Sequence, residues 1–296
     1  MKKIIFIVLI LLYVSCQNDV EKKENNLTDK SSLNNKSATQ KNSFILDKYD
    51  KDFDWSKIEK DISEKDKSLL INKLKPQFKY ILEYEFYKND LNNYLHFCEI
   101  NNDNKIDVIF HGWSGGEPNI IRFFVQTDDG FNKWGEVFQD PLQIKIKNNR
   151  IDKVVAIDEG CCDQYQVMVS TYNVKDSLDL ISQTSYVNWT DMNGENIDPI
   201  RFEIVNDIYY LRDTPKIDNE TVNDRFETKG NSIGQLVKGQ KGTAYKSRVD
   251  STGRVWWLIE TEPLDYLRKS FFYRNNAIKT SYIGWVSSRF VKKINN

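Results

Sequence analysis

Leu142-Gln143-Ile144-Lys145-Ile146-Lys147 decides the fold class, because apolar and polar residues alternate there without a break. A period of two places every apolar side chain on one face of an extended chain. This is typical of an antiparallel strand that is buried on one face. Four further segments are rich in Ile, Val, Phe and Tyr and lie between turn residues: 106–110, 120–126, 154–157 and 165–172. We therefore predict a mainly β fold.

A helix is predicted before these strands. Residues 63–66 have the spacing of a capping box, in which a serine side chain accepts a hydrogen bond from a backbone N–H three residues later. Pro76 ends the helical pattern. The predicted apolar face consists of Leu69, Leu70 and Leu74, with Ile71 as a further candidate. The antiparallel β domain therefore has a short helical prelude.

The composition excludes several classes of protein. Of the 296 residues, 40% are hydrophobic and 13% aromatic, which is enough for a folded core and indicates about two domains. The formal net charge of -1 argues against nucleic-acid binding. The chain has two histidines, His96 and His111, which leaves little room for histidine-dependent catalysis or zinc binding.

Charge is distributed unevenly along the chain. Residues 201–296 carry 17 Lys/Arg and 11 Asp/Glu, whereas residues 16–200 carry 23 and 32. A basic C-terminal part next to an acidic N-terminal part indicates a boundary near residue 200. We predict a mainly β domain over 45–200 and a second domain over 203–296.

The N-terminus has the pattern of an export signal. Lys2 and Lys3 precede an apolar run, 4–14, that is too short to span a bilayer, and Cys16 follows the small residue Ser15. This end resembles the lipobox of bacterial lipoproteins. The resemblance implies that 1–15 is a signal peptide and that Cys16 carries the lipid that anchors the protein to the membrane. The alternative is an ordinary secretory signal that is cleaved nearby.

The residues after the cysteine refine the predicted location. Gln17 stands where the inner-membrane retention signal has Asp, which implies an outer-membrane lipoprotein of the bacterial cell envelope. The run 17–21 is similar to the acidic surface-export signals of Bacteroidota lipoproteins, which implies surface exposure. Polar and charged residues dominate 16–44, so we expect this segment to be a flexible tether.

One turn carries oxygen side chains at regular spacing. Glu99, Asn101, Asp103 and Asp107 occupy positions 1, 3, 5 and 9 of the turn, and such oxygens can converge on calcium. Together with the following strand, the turn resembles an FG-GAP (integrin-type) repeat, which implies a calcium site. Asn104 stands where the family has glycine. The alternative is a solvated Asn/Asp turn between strands.

Two patterns raise the question of an enzyme. Residues 112–116 fit the G-x-S-x-G motif around Ser114, but no histidine follows His111, so the serine triad of that motif cannot be completed. We predict a loop there. The alternative enzyme is an envelope hydrolase that uses a carboxylate pair in the middle domain, drawn from Asp158, Glu159 and Asp163. A solvated acidic loop also explains these residues.

Three cysteines remain if Cys16 is lipidated. An envelope location permits disulfides, and an odd number leaves one thiol free or paired with another chain. We predict a disulfide between Cys98 and either Cys161 or Cys162.

The C-terminal part contains four segments in a recognisable order. They are 208–215 (IYYLRDTP), 232–241 (SIGQLVKGQK), 256–259 (WWLI) and 284–291 (GWVSSRFV). In this order they resemble bacterial SH3-type (SH3b) domains, which implies a small SH3-like barrel. Trp257 and Trp285 are predicted to be core residues.

A long basic and aromatic loop, 262–281, interrupts this pattern. Such a loop suits a peptide or an anionic glycan through stacking and charge. The predicted ligand-binding residues are Arg268, Lys269, Phe272, Tyr273 and Arg274. The alternative is an insertion that packs on the middle domain.

Together these features predict a non-enzymatic, lipid-anchored binding protein. Its SH3-type domain is expected to bind cell-wall peptide or glycan, or a protein partner in the envelope. Calcium is the one cofactor that the sequence indicates.

Overall fold

The computed structural model describes residues 44–49, 53–116, 118–160, 165–175, 177–223, 228–273 and 277–294, which belong to one compact unit. The fold is mainly β with antiparallel sheets and two short helices, as predicted. The helices are α1 (Glu64–Leu74) and α2 (Glu85–Asp90), with 3₁₀ turns at Ile45–Lys48, Trp55–Lys57, Lys75–Phe78, Ile81–Glu83, Leu91–Tyr94 and Ser288–Phe290.

Seventeen strands are present in the described part of the chain. The first eight are β1 (Leu95–Cys98), β2 (Asp107–Gly112), β3 (Ile120–Gln126), β4 (Phe131–Val137), β5 (Asp140–Lys147), β6 (Arg150–Asp158), β7 (Gln166–Val174) and β8 (Leu178–Val187). The others are β9 (Glu195–Ile204), β10 (Ile208–Arg212), β11 (Val222–Asn223), β12 (Thr228–Lys229), β13 (Ser232–Val237), β14 (Lys241–Val249), β15 (Val255–Thr261), β16 (Thr280–Ser287) and β17 (Val291–Lys293).

Helix α1 begins where the sequence predicts. The backbone N–H of Asp66 donates to Ser63 Oγ at 3.1 Å, which satisfies one of the free amides at the helix start. The helix buries Leu70, Ile71 and Leu74. Leu69 is 54% exposed, so its assignment to the apolar face was wrong. Positions 70, 71 and 74 lie on one face, and position 69 turns away from it.

A four-stranded antiparallel sheet, β1-β2-β3-β4, forms the N-terminal half. One face packs on the helical segments through a cluster that includes Phe78, Tyr87 and Phe110. The other face contributes Ile109 to a second cluster with Ile144 and Val154 of β5 and β6. The sheet is therefore covered on both faces.

A larger sheet holds most of the other strands in the order β17-β9-β14-β15-β16-β8-β7-β6-β5, and β10 pairs with both β16 and β13. Its neighbours are antiparallel except β16 and β8, which run parallel with Thr280 opposite Gln183 and Tyr282 opposite Ser185. Strand β9 includes residues 200–203, where the boundary between the two domains was predicted, and it pairs with β14. The division into domains at this point stays a prediction.

The strands β10, β13, β15 and β16 coincide with the four segments singled out in the C-terminal part. Trp257 is 6% exposed and Trp285 is fully buried, which confirms that both are core residues. The antiparallel neighbours β14, β15 and β16 form the centre of this region. That it closes as an SH3-like barrel stays a prediction.

The described chain starts with a buried aromatic residue. Phe44 is 2% exposed and packs with Trp256, Leu258 and Trp285. The Lys246 ammonium lies 5.5 Å from the centre of the Phe44 ring. These contacts hold the start of the described chain against β14 and β15. In the described part of the chain, no helix has both the length and the hydropathy needed to cross a membrane.

Candidate functional site

The turn that was predicted to bind calcium connects β1 and β2. Both oxygens of Asp107 accept backbone N–H groups, from Ile100 and from Gln126, each at 2.8 Å. Burial raises the pKa of Asp107 to about 6, although these two hydrogen bonds oppose the rise. Asn102 and Asn104 have positive φ angles, which asparagine tolerates well.

The other predicted calcium ligands are also engaged within the protein. Glu99 is bound by the Lys60 ammonium and by the N–H of Asn104, and these contacts lower the pKa of Glu99. Asp103 accepts from the N–H of Lys105 at 2.9 Å, and Asn101 from the N–H of Asp103 at 3.2 Å. In the part of the chain that the structure describes, no group of three His, Cys, Asp or Glu residues could hold a metal ion. Calcium at this turn stays a prediction.

Several predicted residues lie outside the described ranges: Cys16, Cys161, Cys162, Asp163 and Arg274. Cys98 is described and is completely buried, and burial raises the pKa of its thiol far above the usual value. Its disulfide with Cys161 or Cys162 stays a prediction. Ser114 of the G-x-S-x-G pattern lies in the loop between β2 and β3, as predicted, and its hydroxyl donates to the carbonyl of Pro118 at 2.8 Å.

The predicted ligand-binding residues in the loop between β15 and β16 differ in exposure. Phe272 is 8% exposed and packs on Tyr282 with the ring centres 5.0 Å apart, so it is a core residue and not a free ligand contact. Arg268 and Lys269 are exposed, and Tyr273 is 67% exposed. The N–H of Tyr273 donates to Gln166 Oε1 on β7 at 2.8 Å. This hydrogen bond places the loop against the middle strands.

A groove of about 460 Å³ lies where this loop meets β6, β7 and β8. We call it the amide groove. Phe138 and Tyr273 stand at its rim and are 51% and 67% exposed. The remaining lining residues are Pro118, Glu136, Val137, Gln139, Asp158, Gln166, Met168, Ser170, Tyr172 and Gln183.

The floor of the amide groove is polar although it is buried. Gln139, Gln166 and Gln183 are 5–7% exposed, and Ser170 is 1% exposed. Gln139 donates to Ser170 Oγ at 3.1 Å and accepts from the Tyr172 hydroxyl at 3.0 Å. Gln183 also donates to Ser170 Oγ, at 3.3 Å. Buried amides are costly unless they are hydrogen-bonded, and this network holds them in place at the bottom of a concave surface.

The two carboxylates of the amide groove, Glu136 and Asp158, differ in their contacts. Burial favours a higher pKa for Glu136, but hydrogen bonds from Lys133 and Arg122 outweigh it, so that the pKa is lowered and the charge is paired. Burial raises the pKa of Asp158, and the Gly160 N–H opposes this only in part. Most of the other polar groups that line the groove are uncharged amides and hydroxyls, from Gln139, Gln166, Gln183, Ser170 and Tyr172.

A second concave surface of about 420 Å³ lies next to the first. We call it the aromatic cleft, and its lining residues are Phe53, Trp55, His111, Asp140, Pro141, Ile157 and Glu159. The rings of Phe53 and Trp55 meet edge to face at 90° with centres 5.0 Å apart. Carboxylates, an imidazole and two aromatic rings thus share one opening.

Both histidines of the chain contact Trp55. The His96 ring stacks on it at 3.6 Å between centres with an interplanar angle of 4°, and the His111 ring lies at 5.5 Å. Each imidazole has a carboxylate partner: His96 Nδ1 lies 2.7 Å from Glu59, and His111 Nε2 lies 2.8 Å from Asp140. Burial lowers the pKa of His96 despite the hydrogen bond with Glu59.

The sequence analysis did not predict that both histidines contact Trp55, because the number of histidines does not show where they lie in the fold. A hairpin that turns at 101–104 brings residues 96 and 111 to diagonal positions on one face, and the structure pairs His96 with Ile109. A predicted hairpin between these two strands would therefore have indicated that the two histidines lie close together. Asp158 and Glu159, the carboxylates of the alternative hydrolase, open into different surfaces, the amide groove and the aromatic cleft respectively.

Comparison with known proteins gives no family that matches the chain, and neither a curated protein nor a solved structure that is similar to it.

Proposed function

We propose that this protein is a non-enzymatic, lipid-anchored binding protein of the bacterial cell envelope, and that its amide groove holds cell-wall glycan or peptide. One observation carries the proposal: a buried floor of glutamine amides lies beneath two exposed aromatic rings, Phe138 and Tyr273. Glutamine side chains both donate and accept, as hydroxyl and amide groups of a glycan or peptide require. Aromatic rims supply the apolar contacts that such sites use.

The basic loop of the predicted SH3-like region supports the same ligand class. Tyr273 belongs to this loop, and so do the exposed Arg268 and Lys269. Lys279 is also exposed and lies 3.5 Å from Asp265. Cations on the loop that carries Tyr273 would add attraction for an anionic wall polymer without determining which groups are recognised.

The alternative hydrolase has less support. Glycosidic hydrolysis needs two carboxyl groups that flank one bond. Asp158 and Glu159 line different surfaces. A binding role requires only the groove.

Purified sacculi test the proposal directly. We expect the full-length protein in detergent to sediment with sacculi at low salt, to bind less at high salt because exposed charges are screened, and to release no soluble fragments. Tyr273→Ala and Phe138→Ala should weaken sedimentation while the melting temperature stays close to that of the wild type.

The matched control is Tyr266→Ala, since Tyr266 is a 50% exposed tyrosine of the same loop that does not line the groove. Equal loss in Tyr266→Ala and Tyr273→Ala would contradict a ligand in the groove. Absence of sedimentation at either salt would remove the cell-wall ligand and favour an envelope protein as the partner. Release of fragments would favour the hydrolase.

The anchor is tested separately. Cys16→Ser should abolish palmitate labelling and move the protein from the membrane to the soluble envelope fraction, because acyl chains supply the membrane affinity. An unlabelled Cys16→Ser protein that still fractionates with membranes would contradict the lipoprotein assignment.

A further inference from the structure

The aromatic cleft has the composition of a site for an organic cation. Phe53 and Trp55 form two walls at right angles, and Asp140 and Glu159 line the same opening. Ring faces attract an ammonium group within about 6 Å, and carboxylates add charge. We propose that the aromatic cleft binds an alkylammonium group, such as a lysine-type side chain or a small amine. This site differs from the amide groove and does not depend on its ligand.

The geometry of Asp140 leaves one oxygen for a ligand. His111 Nε2 and Asn119 Nδ2 both bind Oδ1, at 2.8 and 2.9 Å. Within the described residues, Oδ2 accepts no hydrogen bond. Burial favours a higher pKa for Asp140, but the two hydrogen bonds outweigh it and the pKa is lowered. Asp140 is therefore held as a carboxylate whose free oxygen is fixed in orientation.

The cleft has no cation of its own from the described part of the chain. Elsewhere, Lys67 lies over Phe97, Lys246 over Phe44 and Lys293 over Trp257. Neither Phe53 nor Trp55 receives such a contact from a described residue, and Glu159 forms no ion pair with one. His111 is the basic group that faces Asp140. A cleft that is lined by two carboxylates and two aromatic rings, with no ammonium or guanidinium group from a described residue, is complementary to an added positive charge.

The walls are held in position before any ligand arrives. Trp55 stacks on His96, which is bound in turn to Glu59, and the short turn that carries Trp55 starts at Asp54, which accepts from the N–H of Ser56 at 3.1 Å. Because the rings are already ordered, binding costs little conformational entropy. A metal ion is the other cation that carboxylates attract, but no suitable cluster of three ligands occurs among the described residues. The geometry therefore favours an organic cation.

Butylammonium and 1-butanol, which have the same chain and differ in charge, are the probes. We expect titration calorimetry on the full-length protein to give an affinity for butylammonium about tenfold higher than for butanol. Asp140→Asn and Glu159→Gln should each lower the butylammonium affinity about fivefold, because each removes one charge next to the ligand.

Glu262→Gln, at an exposed carboxylate outside the cleft, is the matched control and should leave this affinity unchanged. Phe53→Leu should reduce it as well, which provides an aromatic test that does not disturb the stacking of Trp55 on His96. Equal affinity for the two probes, no measurable binding of butylammonium, or an unchanged affinity in Glu159→Gln would each overturn the proposal. Sedimentation with sacculi is not expected to change in Glu159→Gln, so that the proposal for each site can be refuted without affecting the other.

Discussion

The amide groove and the aromatic cleft lie at the ends of the same two strands, β5 and β6, and yet they differ in chemistry. Residues 138 and 139 line the groove, whereas 140 and 141 line the cleft, and Asp158 and Glu159 are divided in the same way. Burial acts to raise the pKa of both Asp158 and Asp140, but only Asp140 receives side-chain donors that outweigh it. The neighbours of an aspartate, and not its burial alone, therefore decide the direction in which its pKa moves.

The largest effect is expected from the floor of the groove. Gln139→Leu removes the partner of Tyr172 and one of the donors to Ser170. Buried polar groups that lose their partner cost about 1–3 kcal/mol each, so the free energy of unfolding should fall by about 2–3 kcal/mol. Urea denaturation measures this. The control Tyr172→Phe, which removes one hydroxyl, should cost about 1 kcal/mol. A neutral Gln139→Leu would mean that the floor is not a connected network.

The second largest effect on stability is expected at Trp55, in the wall of the aromatic cleft. Trp55→Leu removes the stacking on His96, and we expect the free energy of unfolding to fall by about 1–2 kcal/mol. Sedimentation with sacculi should not change, because Trp55 does not line the groove. Loss of sedimentation in a folded Trp55→Leu protein would contradict the view that the groove and the cleft are separate sites.

The two aspartates should respond to pH in opposite directions. The folded-state pKa of Asp140 is lowered, so its contribution to stability is present above the ordinary value and is lost as the pH falls below about 4. The folded-state pKa of Asp158 is raised, so its contribution is present at low pH and is lost as the pH rises above about 4.

Denaturation of the wild type, Asp140→Asn and Asp158→Asn between pH 3 and about 6 isolates these terms. Relative to the wild type, Asp158→Asn should become more stable with rising pH, and Asp140→Asn less stable. If stability relative to the wild type changed with pH in the same direction in both variants, side-chain donors would not distinguish the two aspartates.

The smallest effect on stability is expected at the rim of the groove. Phe138→Ser and Tyr273→Ser alter rings that are more than half exposed, so each should change the free energy of unfolding by less than about 0.5 kcal/mol. Phe53→Leu at the half-buried wall of the cleft should cost more. If the rim variants proved as costly as Phe53→Leu in a thermal melt, their rings would be structural and the groove would lose its aromatic contacts.

The sequence predicts those parts of the fold that depend on local pattern. Alternation at 142–147 identifies β5, and the serine at 63 identifies the start of α1. The parallel pairing of β8 with β16 could not be predicted, because it joins segments that no local signal relates.

The sites are harder to predict than the fold. Gln139, Gln166 and Gln183 are polar, and a pattern based on hydrophobicity places them on the solvent side, whereas contacts with distant residues bury them. Tyr273 was singled out from the sequence and does line the groove. Phe272, its neighbour, was assigned the same role from the same composition, and only the side-chain direction within the loop separates the two.

The pairing of β8 with β16 also constrains how the protein is made. A ribosome delivers the chain from its N-terminus, so β5 to β8 emerge well before Thr280–Tyr282, the residues that pair with the edge of β8. Until then β8 presents the backbone groups of Gln183–Ser185 without their β16 partners to any other nascent chain. Efficient production therefore depends on release of the last residues, and a chain truncated before β16 should be prone to aggregation even though its earlier strands are intact.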